Sequence, residues 1–155
     1  GPLCGCGNRG CLEALASGTA IIAEAVRMLI GGECPRLHQL TGGDPAKVDA
    51  GAVAEAARGG DESMRLIYER AAYFIGIAAC NVIVTIHPEL VVIGGGVARA
   101  GDLLLEPIRR TVGERLKMMP PEGIRIEPSK LGGEAGMLGA IARAERAFLS
   151  AGPGS

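Results

Sequence analysis

The segment that most strongly indicates the fold class is Leu90-Val-Val-Ile93-Gly94-Gly-Gly96. Its four apolar residues are mostly β-branched and carry no charge, which is typical of a strand buried in a parallel sheet. The three glycines allow a tight turn, and a helical pattern follows over residues 103–117. A second strand is predicted at 124–127 and a final helix at 134–149. This order of strand, glycine turn, helix, strand and helix predicts an α/β fold.

The residues that precede this strand are predicted to be mostly helical. Apolar residues recur every three to four positions over 12–29, and residues 49–58 form an alanine-rich pattern. Asp61 is a suitable N-cap for a long helix that ends near residue 86. The second half of that helix, from residue 71, is apolar nearly all round, which predicts burial. Residues 33–47 are polar and contain prolines and glycines, so we expect an irregular connection there.

The composition indicates one soluble domain. The chain has 155 residues, 48% of them hydrophobic, a net charge of −1 and a mean hydropathy of +0.27. Neither charge forms a block, so we expect neither nucleic acid nor an anionic membrane as the partner of this segment. The longest apolar stretch, residues 75–86, is too short to span a bilayer. Five cysteines cannot all pair, so we expect reduced thiols in a cytoplasmic protein, with residues 151–155 as a loose tail.

Three cysteines near the start of the chain form a candidate metal site. Cys4, Cys6 and Cys11 are separated by glycines that let the backbone bring the three sulfurs together. Thiolates are soft ligands, and structural zinc takes four ligands in a tetrahedron. The local sequence offers no fourth ligand. The alternative is three unligated thiols in a flexible loop.

Glu13 and the glycine triplet are candidate ligand-binding residues, each with a simpler explanation. Glu13 falls in the first turn of a helix, where it either complements the helix dipole or accepts hydrogen bonds from substrate hydroxyls. Gly94–Gly96 either forms a tight turn or lets the backbone approach a nucleotide. The triplet matches neither the Walker A pattern nor G-x-G-x-x-G. Glycines over 132–140, at the start of the last helix, are assigned to close packing.

Taken in order, these segments resemble the ROK family of bacterial sugar kinases and related repressors. Residues 1–13, from Gly1 to Glu13, are similar to the zinc-loop signature of the family, and 15–19 continue in the same manner. Residues 87–97, His87-Pro-Glu-Leu-Val-Val-Ile-Gly-Gly-Gly-Val97, resemble its adenosine-binding segment. Residues 132–140 resemble its glycine-rich helix start. The resemblance covers essentially the whole chain.

The resemblance implies a zinc site, a sugar contact and a nucleotide pocket. Zinc would be structural, and Glu13 would hydrogen-bond the hydroxyls of a hexose. The implied zinc ligands are Cys4, Cys6 and Cys11, and the implied residues of the ATP pocket are Gly94, Gly95, Gly96 and Val97, with Thr19 a weaker candidate.

The resemblance also implies that residues 1–150 are the second lobe of an actin-like, ribonuclease H-like ATPase fold. The histidine that completes the family's zinc site, its Asp-x-Gly-Gly-Thr phosphate loop and its Asn-Asp pair with the general base all lie upstream of the matching segment. We therefore expect an ATP- and Mg²⁺-dependent hexose kinase, glucokinase-like, of which this chain alone is inactive. The alternative is the effector and oligomerisation domain of a sugar-responsive repressor. A third possibility is a zinc-stabilised assembly module without catalysis. In the family, the strands that begin this lobe also lie upstream, so the helix near 71–86 should leave apolar surface to be covered, and we expect a homo-oligomer.

Overall fold

The structure, a computed structural model, describes residues 1–117 and 123–150. The predicted tail at 151–155 lies outside the described residues. The helices are α1 (Leu12–Ala16), α2 (Gly18–Ile30), α3 (Pro35–Thr41), α4 (Ala50–Arg58), α5 (Glu62–Ile86), α6 (Asp102–Arg115) and α7 (Ala135–Ser150). The strands are β1 (Leu90–Ile93) and β2 (Arg125–Pro128), and short 3₁₀ turns occupy Pro45–Lys47, Gly96–Ala100 and Gly132–Glu134.

The two strands form a small parallel sheet. Leu90 lies opposite Arg125 and Ile93 lies opposite Pro128. The connection between the strands contains α6, as a parallel pair requires. Arg109 of α6 fastens this unit, because its Nε and Nη2 atoms donate hydrogen bonds to the Ile126 carbonyl at 3.1 and 2.8 Å. The predicted helix-rich α/β class is confirmed.

Helix α5 is the centre of the hydrophobic core and packs against α1, α2, α4 and, most extensively, α6. Met64, Tyr68 and Ile83 are almost fully buried along it. At Gly76 the helix meets α6 so closely that a Cβ atom there would lie 2.7 Å from the Cβ of Thr111. The glycine thus permits the two helices to touch.

The prediction that α5 is buried all round from residue 71 is wrong for one side of the helix. Tyr73, Val82 and Ile86 are 40%, 47% and 67% exposed. Residues 75–86 alone are too short to span a bilayer, but they belong to a helix of 25 residues. By length and composition alone, that whole helix could cross a membrane. Its other side packs against four helices, as the core helix of a globular domain does.

Two local predictions also need correction. The helical pattern over 12–29 is divided at Ser17, whose backbone is extended and whose hydroxyl accepts a hydrogen bond from the Ala20 amide at 3.1 Å. This N-cap starts a new helix without interrupting the apolar periodicity. The segment 33–47 is not irregular throughout, because α3 begins at Pro35 and ends at Thr41, and Gly42 follows it with φ +65°. Proline suits the first helical turn and glycine the position after the last.

Candidate functional site

The cysteine loop is a closed hairpin. The Cys4 amide donates to the Asn8 carbonyl at 2.8 Å, and the Gly7 amide donates back to the Cys4 carbonyl at 3.0 Å. Gly7 and Gly10 have φ values of +88° and +72°, a region that side chains with a Cβ rarely adopt. The glycines between the cysteines therefore make the turn that gathers the thiols.

The three sulfurs lie at distances suited to one metal ion. The Sγ atoms of Cys4, Cys6 and Cys11 are within 4.8 Å of one another, and those of Cys6 and Cys11 are 3.6 Å apart. Tetrahedral zinc with Zn–S bonds of about 2.3 Å requires sulfurs about 3.8 Å apart. Within residues 1–117 and 123–150, no other cysteine, histidine or carboxylate joins this group. The described residues thus supply three soft ligands for zinc.

The thiols of this cluster do not ionise independently. A backbone hydrogen bond from Asn8, with side-chain hydrogen bonds from Cys11 and Cys4, lowers the pKa of Cys6. The hydrogen bonds with Cys6 and Cys4 raise the pKa of Cys11 to about 11. Cys6 therefore loses its proton more easily than Cys11 does. A divalent cation would stabilise all three thiolates at once.

Glu13 lies two residues after Cys11, the last cysteine of the cluster. Cys11 is the residue before α1, and Glu13 lies exposed in the first turn of that helix. Helix α1 in turn packs against α5. Any group that fixes the cysteine loop thus also fixes the helix that carries Glu13.

Glu13 and the glycine turn line the same cleft, although they are about eighty residues apart in sequence. The cleft has a volume of about 560 Å³. Its lining comes from α1, the start of α2, Ile75 of α5 and the end of β1 with the following turn. The predicted residues in it are Glu13, Gly94, Gly95, Gly96 and Val97.

The backbone of the turn depends on its glycines. Gly95 has φ +79° and ψ −177°, a conformation that is almost exclusive to glycine. At Gly96 a Cβ atom would meet no other atom within 4 Å, so the space beside this backbone is open. At Gly18 an added Cβ would lie 3.6 Å from the Cγ2 atom of Val97, so the start of α2 closely approaches the turn.

Thr19, the weaker nucleotide candidate, lies next to the cleft but is not among its lining residues. Its hydroxyl is 2.8 Å from that of Ser17. Ser17 itself and Ile75 do line the cleft, and sequence reasoning missed both. For Ser17 the available signal was its place as a helix N-cap, because the backbone amides of a helix start are a good place for a polar ligand.

The second glycine-rich segment lies beside the same turn. An added Cβ at Gly133 would be 3.1 Å from the Nη2 atom of Arg99, which belongs to the 3₁₀ turn Gly96–Ala100. The close packing predicted for the glycines over 132–140 is wrong for Gly136 and Gly139, because both are exposed and a Cβ atom at either would meet nothing within 4 Å.

A second cavity, of about 380 Å³, lies between α1, α2 and α5. Alkyl groups such as those of Ile21 and Ile67 form most of its lining, and Glu24, Arg27 and Arg70 also border it. It contains none of the predicted site residues. The cleft with Glu13 is therefore the better candidate site, because it combines a carboxylate with accessible glycine backbone.

Comparison with known proteins identifies the family. The ROK family profile matches residues 1–147, and the chain belongs to this family. It is 37% identical over 143 residues to a glucokinase from Thermotoga maritima, covering 90% of this chain and 44% of that protein. It is 30% identical over 148 residues to a xylose repressor from Caldicellulosiruptor bescii, covering 96% of this chain and 37% of the repressor.

The same similarity appears among solved structures. A ROK family glucokinase from Streptomyces griseus, in complex with glucose and AMPPNP, superimposes with a TM-score of 0.79 at 31% identity. The match covers 90% of this chain and 46% of that one. The chain thus spans less than half the length of these relatives, which include both sugar kinases and a regulator.

Proposed function

We propose that this chain is part of an ATP-dependent hexose kinase of the glucokinase type. The observation that carries the proposal is the shared cleft, in which Glu13 and the Gly94–Val97 turn are brought together. A related glucokinase binds glucose and the ATP analogue AMPPNP. A carboxylate and an open glycine backbone are suitable contacts for these two ligands.

The residues of the cleft divide between the two substrates. The Glu13 carboxylate accepts hydrogen bonds from hexose hydroxyls. The glycines at 94–96 let the adenosine moiety of ATP approach the backbone, and Val97 offers it an apolar contact. Transfer of the γ-phosphoryl group to the sugar would then depend on positioning and on charge stabilisation, and Mg²⁺ bound with ATP would add to that charge stabilisation. We expect no turnover from this chain alone, because the phosphate loop and the general base match no segment of it.

Zinc at Cys4, Cys6 and Cys11 has a structural role in this proposal. It would stiffen the hairpin, and the hairpin continues through Cys11 into α1. Glu13 would then be held at the cleft with less freedom of movement, so the metal supports sugar binding without taking part in the reaction.

A sugar-responsive repressor is the second candidate, favoured by the similarity to the xylose repressor. A repressor of this kind needs the sugar but not ATP. The open backbone at Gly96 favours the kinase, because a nucleotide could approach it and a repressor does not need one.

We also propose a cytoplasmic protein that forms a homo-oligomer. Two surfaces support the second point: the exposed side of α5 and the exposed apolar residues of α7, Met137, Ile141 and Phe148. Burying such surface is a common driving force for association. A monomer in size-exclusion chromatography with light scattering, at micromolar concentration, would contradict it.

Calorimetric titration of the purified chain with glucose and, separately, with AMPPNP tests the main proposal. Glu13→Gln should weaken glucose binding about tenfold or more and leave AMPPNP binding unchanged. Gly96→Val should weaken AMPPNP binding and leave glucose binding unchanged, because the valine side chain would occupy the open space beside this backbone. Binding of glucose without AMPPNP would favour the repressor. Binding of neither ligand, by a folded protein, would contradict the assignment of the cleft.

A further inference from the structure

The 3₁₀ turn that follows the glycines is held by an arginine from a distant part of the chain. The Nη2 atom of Arg58, the last residue of α4, donates a hydrogen bond to the Ala100 carbonyl at 2.8 Å. The two residues are 42 positions apart in sequence. Ala100 is only 4% exposed, so its carbonyl has little access to water.

The turn needs such an anchor because its own backbone is permissive. Gly94 and Gly95 precede it, Gly96 is its first residue, and Gly101 follows it with φ +62°. Glycine restricts the backbone less than any other residue, so local conformational preferences leave the position of the turn poorly defined. Arg58 contacts Ala100, the last residue of the turn, at the end away from Gly94 and Gly95.

The backbone of Arg58 is held firmly at the end of α4. The chain turns between α4 and α5 through three backbone hydrogen bonds, among them that from the Asp61 amide to the Ala56 carbonyl at 3.0 Å. Val53, Ala56 and Ala57, on the same helix, are buried in the core. The arginine therefore connects the turn to a part of the molecule that is fixed by packing.

We infer that Arg58 is a positioning residue for nucleotide binding, acting through the Ala100 carbonyl on the Gly94–Val97 backbone. The inference rests on the proposed function, since it assumes that this backbone binds the adenosine of ATP. Arg58 is not among the residues that line the cleft. Its effect is to hold the turn in its binding geometry before the nucleotide arrives, which lowers the ordering cost of binding.

The test compares Arg58→Ala with a matched arginine variant. Arg109→Ala removes two donors from a different backbone carbonyl, that of Ile126, and neither Arg109 nor Ile126 lines the cleft. Arg58→Ala should raise the dissociation constant for AMPPNP about fivefold to tenfold, whereas Arg109→Ala should stay within about twofold. Arg58→Lys retains a donor and should recover most of the affinity.

Hydrogen exchange gives a second readout that is independent of the nucleotide. Without ligand, Arg58→Ala should speed amide exchange over residues 94–101, and Arg109→Ala should speed it over 125–128 instead. Unchanged AMPPNP affinity in Arg58→Ala, or equal weakening by both alanine variants, would overturn the inference about Arg58 and leave the proposed function intact. If the wild-type chain does not bind AMPPNP, the nucleotide part of the proposed function fails and the inference fails with it.

Discussion

Asp61 joins two helix starts through its contact with Leu37. The Oδ2 atom of Asp61 accepts hydrogen bonds from the Leu37 amide at 3.2 Å and from the Arg36 amide at 3.0 Å, at the start of α3. Its Oδ1 atom accepts from the Met64 amide at 3.4 Å, at the start of α5. One carboxylate, only 4% exposed, thus serves as a cap for both helices.

Asp61→Ala should therefore cost more stability than the loss of an ordinary cap. We expect a loss of about 3 kcal/mol in the free energy of unfolding, from two caps and the amides left buried without acceptors. Asp49→Ala is the matched control, since Asp49 caps only α4, at 2.7 Å from the Ala52 amide, and should lose about 1 kcal/mol. Urea denaturation measures both. Equal losses would show that the contact with α3 is unimportant.

Gly76→Ala should destabilise the contact between α5 and α6. The new methyl group would lie 2.7 Å from Thr111, so the two helices must move apart at a cost of about 1–3 kcal/mol. Gly113→Ala in α6 is the control, because a Cβ atom there meets nothing within 4 Å and alanine favours the helix. Thermal unfolding should show a lower Tm for the first variant and an unchanged or higher Tm for the second.

Cys11→Ser should abolish zinc binding by the purified chain. We expect about one zinc per wild-type chain by plasma mass spectrometry, because the three sulfurs have suitable separations for one tetrahedral ion. Cys80→Ser should keep the metal, since Cys80 lies on α5 and is not part of the cluster. Zinc retained by Cys11→Ser would contradict the site, whereas zinc absent from the wild-type chain would mean that the three sulfurs do not hold the ion without a fourth ligand.

Tyr68→Phe should alter the alkaline limit of stability. Burial raises the pKa of the Tyr68 hydroxyl, with a smaller opposing effect from the charge of Arg58. The unfolded chain therefore releases this proton near pH 10 while the folded chain still holds it. Stability should fall as the pH rises from about 10 towards the raised folded-state pKa, and it should fall less steeply in Tyr68→Phe.

Denaturation curves between pH 8 and 11 measure this slope. Tyr73→Phe serves as the comparison, because Tyr73 is 40% exposed and lies on the same helix. A wild-type slope in Tyr68→Phe would mean that other groups dominate the alkaline transition.

Local signals were sufficient to predict most of the helices and both strands. Asp61 as an N-cap correctly located the start of α5, and the β-branched run Leu90–Ile93 correctly located β1. These signals act over a few residues, so the sequence carries them directly. The division at Ser17 was missed because a capped break can preserve apolar periodicity across two helices.

The exposure of α5 and the assembly of the cleft could not be predicted from local patterns. An all-apolar face indicates burial, but Val82 and Ile86 remain exposed because no described element covers them. Glu13 and Gly94 line one cleft only because the fold places α1, α5 and the end of β1 around it, and no spacing rule connects residues so far apart. Their roles came from the resemblance to a family and stay predictions.

The parallel pair of strands has a practical consequence for every titration described above. Among the described residues β1 pairs only with β2, so the other edge of β1 keeps unpaired amides and carbonyls. Val92 and Leu90 on that strand are 53% and 37% exposed. Such an edge can recruit extended segments of neighbouring chains. Self-association would then compete with ligand binding as the protein concentration rises, so dissociation constants are best compared at several dilutions.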